Sequence, residues 1–502
     1  MTHLRSLWAC GVMLTALSSA QAAERPVSAD VALLDRVTWG ANEVSAAKLR
    51  EMGPERWLQW QLHPTAADTL PAAAQAEIDA LPVTERPVGE VFAEWATQNK
   101  AANGITDLLQ KQAAQQAFQQ AMSDFARQSA ARDILRDLYS PAQLRERMTW
   151  FWFNQFNIHQ YKSDIRPLLA DYQETAIRPH ALGKFRDLLL ATAQHPAMLR
   201  YLDNAENFGG HINENYAREI MELHSMGVGS GYSQQDVQEL ARILTGSGID
   251  PRAEDPKLKP EWQKLLVRQG LFEFNPARHD FGDKNFLGHV IKGSGYPEVE
   301  EAITILSREP ATARHISTQI ATYFVSDTPP PALVDRMAQT FQQSDGDIAI
   351  VLNTMFHAPE FNAGQKFKDP MRYVLSAVRL AYNDRVVLNT APVQNWLNRL
   401  AEGIYNHETP DGYSLQSAAW NGPGQMAVRF EIARQIGSGS YGLMKPLVPN
   451  ATDQPGFPQL QNALYFAATR QRLSPTTVAA LNQAVSPQDW NLLFLSSPEF
   501  MY

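Results

Sequence analysis

The groups best suited to chemistry crowd into one stretch: His211, Asn213, Glu214, Asn215, Tyr216, Arg218, Glu219, Glu222 and His224. Asn213 is placed to cap a helix. At about 100° per residue, Asn215, Arg218, Glu219 and Glu222 fall within one arc of roughly 100°. Tyr216, Ile220 and Leu223 make the apolar side, with His224 among them. Paired carboxylates at this spacing suit general acid/base work, where mutual repulsion raises one pKa. They also suit a hard divalent cation, which takes oxygen ligands. The plainer alternative is a solvated helix face carrying an Arg218–Glu222 ion pair, with His224 a satisfied core histidine.

A second cluster lies in a loop: Asn275, Arg278, His279, Asp280, Asp283 and Lys284. Gly282 and Gly288 favour a turn here over the helix on which metal phosphohydrolases carry a His-Asp pair. A loop histidine oriented by an aspartate can still move protons; the alternative is a turn held by aspartate side chains. His195-Pro196-Ala197-Met198 reads as a helix end before a new start, with His195 bonding the freed carbonyls. Thr409-Pro410-Asp411-Gly412-Tyr413 is turn chemistry. Tyr413 and Trp420 could line a groove for a sugar or peptide.

These residues define a candidate site. Glu219, Glu222, His279 and Asp280 are the candidate catalytic groups. Asn213, Asn215, Arg218, Lys284, Tyr413 and Trp420 are candidate substrate contacts. No cofactor or metal-ligand set is assigned, and a divalent cation stays open. Gly-x-Ser-x-Gly, a phosphate-binding glycine loop, His-Glu-x-x-His and a haem-attachment motif are all missing from the sequence.

The elements that must position these groups are helical. Ser140-Pro141, Ser474-Pro475 and Ser486-Pro487 each offer a serine cap followed by proline at the first helical position. Gln143 and Asp489 stand where capping-box partners belong, and Ser233 with Asp236 opens a helix the same way. Apolar periodicity predicts helices over 46–52, 54–62, 105–138, 141–157, 180–193, 216–226, 233–245, 297–308, 311–325, 331–343, 348–357, 371–382 and 428–436. Strand alternation is scarce. An all-α fold follows, one large multi-helix domain of toroid-like or bundle-like form, with long Gly/Pro/Asp-rich loops. The boundaries expected are a signal peptide over 1–22, a main helical domain over 23–365 and a C-terminal helical subdomain over 366–502 packed on it.

Arg5, the apolar run 7–17 and Ala20-Gln21-Ala22 make a three-part secretory signal, cleaved after Ala22. The run is too short for a permanent anchor, which needs roughly 20 residues; a lipoprotein reading of Cys10 is the rival. Cys10 is the chain's single cysteine, so the processed chain would use neither disulfides nor thiolates. The net charge of −9 argues against a nucleic-acid partner. A periplasmic or secreted protein is expected. Its function would be to cleave an extracellular or envelope polymer, above all a polysaccharide, by carboxylate chemistry. The alternative is a non-catalytic envelope or matrix protein that binds a glycan or protein partner through a structural polar network.

At these residues the chain resembles the bacterial family catalogued as domain of unknown function 1800. The matching stretches are LLDRVTWGA from Leu33, RPHALGKFRDLLLATAQHPAMLRYLDN from Arg178 and NENYAREIMELHSMGVGSGYSQQDVQELARILTG from Asn213. FNPARHDFGDKNFLG from Phe274, REPATARHISTQIATYFVSDTPP from Arg308 and TPDGYS from Thr409 follow. The resemblance implies an exported helical protein and marks 213–224 and 279–284 as signature segments. One departure stands out. Members commonly carry Phe-Trp-His-Asn-His-Phe where this chain has Phe151-Trp152-Phe153-Asn154-Gln155-Phe156. Any metal or catalytic role of those histidines is lost or replaced here. His159 lies nearby at neither position.

Overall fold

The computed structural model describes residues 27–65, 69–252, 254–382, 385–439, 441–446, 450–452 and 456–502. The segment 1–22 expected to be a signal peptide, with Cys10, lies outside the described residues. Among the described residues the chain is mostly α-helical, with a few short strands.

Local sequence explains many helix boundaries. The Glu43–Met52 and Pro54–Leu62 helices meet at Gly53, whose φ of 76° suits glycine. The long helix runs Leu108–Tyr139, with Asp107 accepting the Gln110 N–H at 2.9 Å as its cap. Its first turns are exposed, and its second half carries Ile134, Leu135 and Leu138 into the core. The Val88–Gly104 helix packs on it through Trp95 and Phe125, whose rings meet edge-on at 5.0 Å. Ser474 and Ser486 cap their helices, accepting from Thr477 N and Asp489 N.

Ser140 departs from that pattern. It ends the long helix, and the next helix begins only at Gln143. Gln143 completes no capping box: its amide donates to the Asp137 and Ser140 carbonyls at 2.8 and 2.9 Å. The Ser140 hydroxyl donates instead to Glu146 at 2.8 Å. A buried carboxylate six residues on outcompetes the local cap.

Strands do occur in the loops read as irregular. Ser247–Ile249 and Val267–Gln269 both pair antiparallel with Phe272–Phe274, and Lys284–Phe286 pairs with His289–Ile291. Each is three residues long, too short for alternation to show in sequence.

One apolar core extends from Val31 to Met501 and buries Trp39, Trp57, Trp152 and Trp396. It continues across position 366. Arg379 donates to the Gly40 carbonyl at 3.2 Å and to that of Leu138. Tyr405, held at φ 64°, sends its phenol to Asp133 of the long helix.

Candidate functional site

The helix bearing Glu219 and Glu222 starts at Asn215, one turn of backbone after an anchored entry. Asn213 Oδ1 accepts the Asn215 N–H at 3.0 Å, and its own N–H donates to Asn207 at 3.0 Å. The Asn215 side chain donates to the Leu202 carbonyl at 3.3 Å. Both asparagines therefore serve the backbone. Arg218 turns back to Glu214 at 2.9 Å and to Gln234 at 3.0 Å. It does not take the Glu222 partner that i, i+4 spacing suggested.

The even 100° stepping ends at Glu219. Asn215–Glu219 is α-helical, whereas Ile220–Ser225 is π-helical, a form concentrated at functional sites. The Met226 and Gly227 N–H groups both donate to the Met221 carbonyl, at 3.0 and 3.2 Å. The Leu223 carbonyl instead accepts Gln155 Nε2 at 2.5 Å and His315 Nε2 at 3.3 Å. The wide turn is thus pinned by two side chains from other helices. His224 is buried there, and its imidazole is pushed down to about 3 by burial and the neighbouring His315. It is a core histidine, though its Nε2 has no hydrogen-bond partner.

Glu219 and Glu222 remain half-buried on the outer side of this turn. The Glu219 carboxyl is raised above its ordinary value, first by burial and then by the Glu222 charge. Arg218 opposes the rise, and Asp411 adds to it. Asp411 belongs to the loop spanning 405–413, of which the sequence marks only Thr409–Tyr413, as a turn.

 

That loop is clamped onto the end of the Gln143–Gln155 helix. Asn154 Nδ2 donates to the Tyr413 carbonyl at 2.9 Å, and Asn154 Oδ1 accepts the Tyr413 N–H at 2.6 Å. Asn157 Nδ2 donates to the His407 and Thr409 carbonyls at 3.0 and 2.8 Å. The Tyr201 phenol donates to the Glu408 carbonyl at 2.7 Å. Gly412 has φ 71°, and a Cβ there would sit 2.1 Å from the Asn154 carbonyl oxygen.

Within the loop, His407 Nε2 lies 3.2 Å from Asp411 Oδ1 and 3.0 Å from Thr409 Oγ1. Both contacts use one ring nitrogen, so this is not a nucleophile–histidine–aspartate relay, which needs both. Burial pushes the Asp411 carboxyl up, but hydrogen bonds from Thr409 and His407 outweigh it and hold it below the ordinary value. The Tyr201 phenol is raised by burial, with the charges of Asp411, Glu219 and Glu408 all acting on it. Burial lowers His159, which feels both Glu408 and His407.

Asp411 also lines a cleft of about 700 Å³, together with Gln319, Asp327, His407, Tyr413 and Gln416. Tyr413 thus reaches a groove, although its hydroxyl is already bonded to the Gly403 carbonyl at 2.8 Å. Trp420 does not. It is buried, with Nε1 on the Ser414 carbonyl at 2.9 Å and its ring edge-on to Tyr413.

The second cluster is tied into a separate network. His279 places Nδ1 at 2.8 Å from the Thr245 carbonyl and Nε2 at 2.9 Å from Glu298 Oε1. Lys284 pairs with the other oxygen of Glu298, and the side chains of His279, Lys284 and Glu298 are fully buried. Glu298 Oε1 also accepts the Ser294 and Gly295 N–H groups, each at 2.7 Å. Asp280 is held by Arg242 at 2.8 and 3.3 Å. His195 likewise differs from expectation: its Nδ1 accepts the Ala197 N–H at 3.1 Å as a helix cap, and its Nε2 meets Asp171 at 2.9 Å.

The structure therefore brings Glu219 and Glu222 together with Asp411, His407, Glu408 and Tyr201, which sequence reasoning did not assign to the site. TPDGYS was visible as a turn, but nothing in its spacing says which helix it meets. At the departing positions, Phe153 packs on Tyr405 at 5.2 Å and Gln155 holds the π turn. Among the described residues, no group of three or more His, Cys, Asp or Glu side chains could hold a metal ion, and no helix is long and apolar enough to cross a membrane.

No curated protein and no solved structure matches the chain. The family model described as Protein of unknown function (DUF1800) matches residues 32–502, and the chain belongs to that family.

Proposed function

We propose that this chain is an exported hydrolase that cleaves glycosidic bonds in an extracellular or envelope polysaccharide. Glu219 is its proton donor and Asp411 its ionised partner. The observation that carries this reading is the opposite displacement of the two carboxyls, Glu219 upward and Asp411 downward, with the Asp411 charge acting on Glu219. Carboxylates pushed apart in this way divide the acid and base roles between them. Glu222 helps to keep Glu219 protonated. Export is supported by the three-part segment ending at Ala22. His279, Asp280 and Lys284 leave the catalytic set in this reading and brace the fold beside it.

Glu219→Gln tests the assignment on the purified chain with soluble polysaccharides. Reducing-end release should fall by about 10²–10⁴-fold, with circular dichroism and melting temperature unchanged. Full activity in this variant would sink it. Activity should also survive a chelator.

The second reading is a non-catalytic binder of a glycan or protein. The buried His279–Glu298–Lys284 network favours it, since that signature segment is spent on structure. Glycan binding with no bond cleavage by the wild-type chain would establish it.

A further inference from the structure

The cleft beside Asp411 has a charge balance that selects among polysaccharides. Among the described lining residues its one guanidinium is already engaged: Arg314 pairs with Asp335 at 2.5 Å. Asp327 of the wall is neutralised by Lys366, which is not itself a lining residue, at 2.5 Å; Lys366 also donates to the Leu415 carbonyl at 2.6 Å. Asp411, by contrast, has only a histidine and a threonine hydroxyl as side-chain partners. The walls add Thr318, Gln319, Thr322, Ser414 and Gln416, which offer neutral hydrogen bonds. Glu222, whose charge reaches Glu219 as that of Asp411 does, adds negative charge near the Asp411 end.

A uronate or sulfate group entering this cleft meets carboxylates and, among the described residues, no unpaired guanidinium or ammonium on its walls. An ammonium group meets attraction from the same carboxylates, in a concave setting that concentrates their field. We infer that the cleft takes a glycan bearing free amino groups, preferring it to a neutral glycan and a neutral glycan to a polyuronate. This rests on the polysaccharide reading above.

The test is affinity electrophoresis of full-length Glu219→Gln protein, in mildly acidic buffer, through gels containing chitosan oligomers, a neutral β-glucan or oligogalacturonate. Retardation should be at least 10-fold stronger with chitosan oligomers than with oligogalacturonate. The difference should shrink with added salt and in Asp411→Asn. Oligogalacturonate binding as well as chitosan, or a ranking indifferent to salt, overturns the inference. Binding to none of the three overturns it too. Cleavage is scored separately on the wild-type chain. A chain that ranks the polymers as stated but cleaves none loses the hydrolase reading and keeps this one. A chain that cleaves galacturonate does the reverse.

Discussion

At the scale of single residues, environment decides what a carboxyl can do. Glu219 must be protonated to donate, so activity falls as pH rises through its raised pKa. Asp411 must be ionised, so activity falls as pH drops through its lowered pKa. The two limbs should lie above 4.5 and below 3.8, the respective ordinary values. A pH–rate profile checks this, and Asp411→Asn should lower activity across the whole profile. His224 makes a separate prediction about stability. Its pKa is lowered from 6.5 to about 3, so between those values the unfolded chain binds a proton that the native chain refuses. Stability is therefore retained above pH 6.5 and lost as pH falls. Between about pH 7 and 5 the loss from this one group is about 2 kcal/mol. His224→Phe should flatten that part of a melting-temperature–pH curve, and an unaltered slope would refute the assignment.

At the scale of elements, the site depends on a π turn and a clamped loop meeting. Gly412 is the tightest point of the clamp. Gly412→Ala should displace the loop, lower kcat and destabilise the protein by more than about 1 kcal/mol. Gly422→Ala, where a Cβ meets nothing within 4 Å, should behave like the wild type. Chemical denaturation and steady-state kinetics on the two variants make the comparison. The turn residues at 409–413 were legible as a turn, and the helix at 216–226 as a helix. The π geometry was not, because it is held by Gln155 and His315 from elsewhere in the chain.

At the scale of the molecule, residues after 366 share one core with the rest. Arg379 reaches the Gly40 and Leu138 carbonyls, and Tyr405 reaches Asp133. The described chain should melt in one cooperative transition, and a fragment ending at 365 should not fold. Calorimetry decides between this and two resolved transitions, which would establish an independent C-terminal unit.

The sequence by itself determined what is local in origin. Helical periodicity, serine caps at Ser474 and Ser486, the Gly53 break and the Glu219–Glu222 pairing each depend on residues a few positions apart. Tertiary structure decided what depends on distant partners. It gave His279 to Glu298, Asp280 to Arg242 and Ser140 to Glu146, and it brought the Asp411 charge within reach of Glu219. The physical reason is that a titratable group takes its character from burial and from the charges around it. Those neighbours are assembled by packing, across nearly two hundred residues of intervening chain in the case of Asp411.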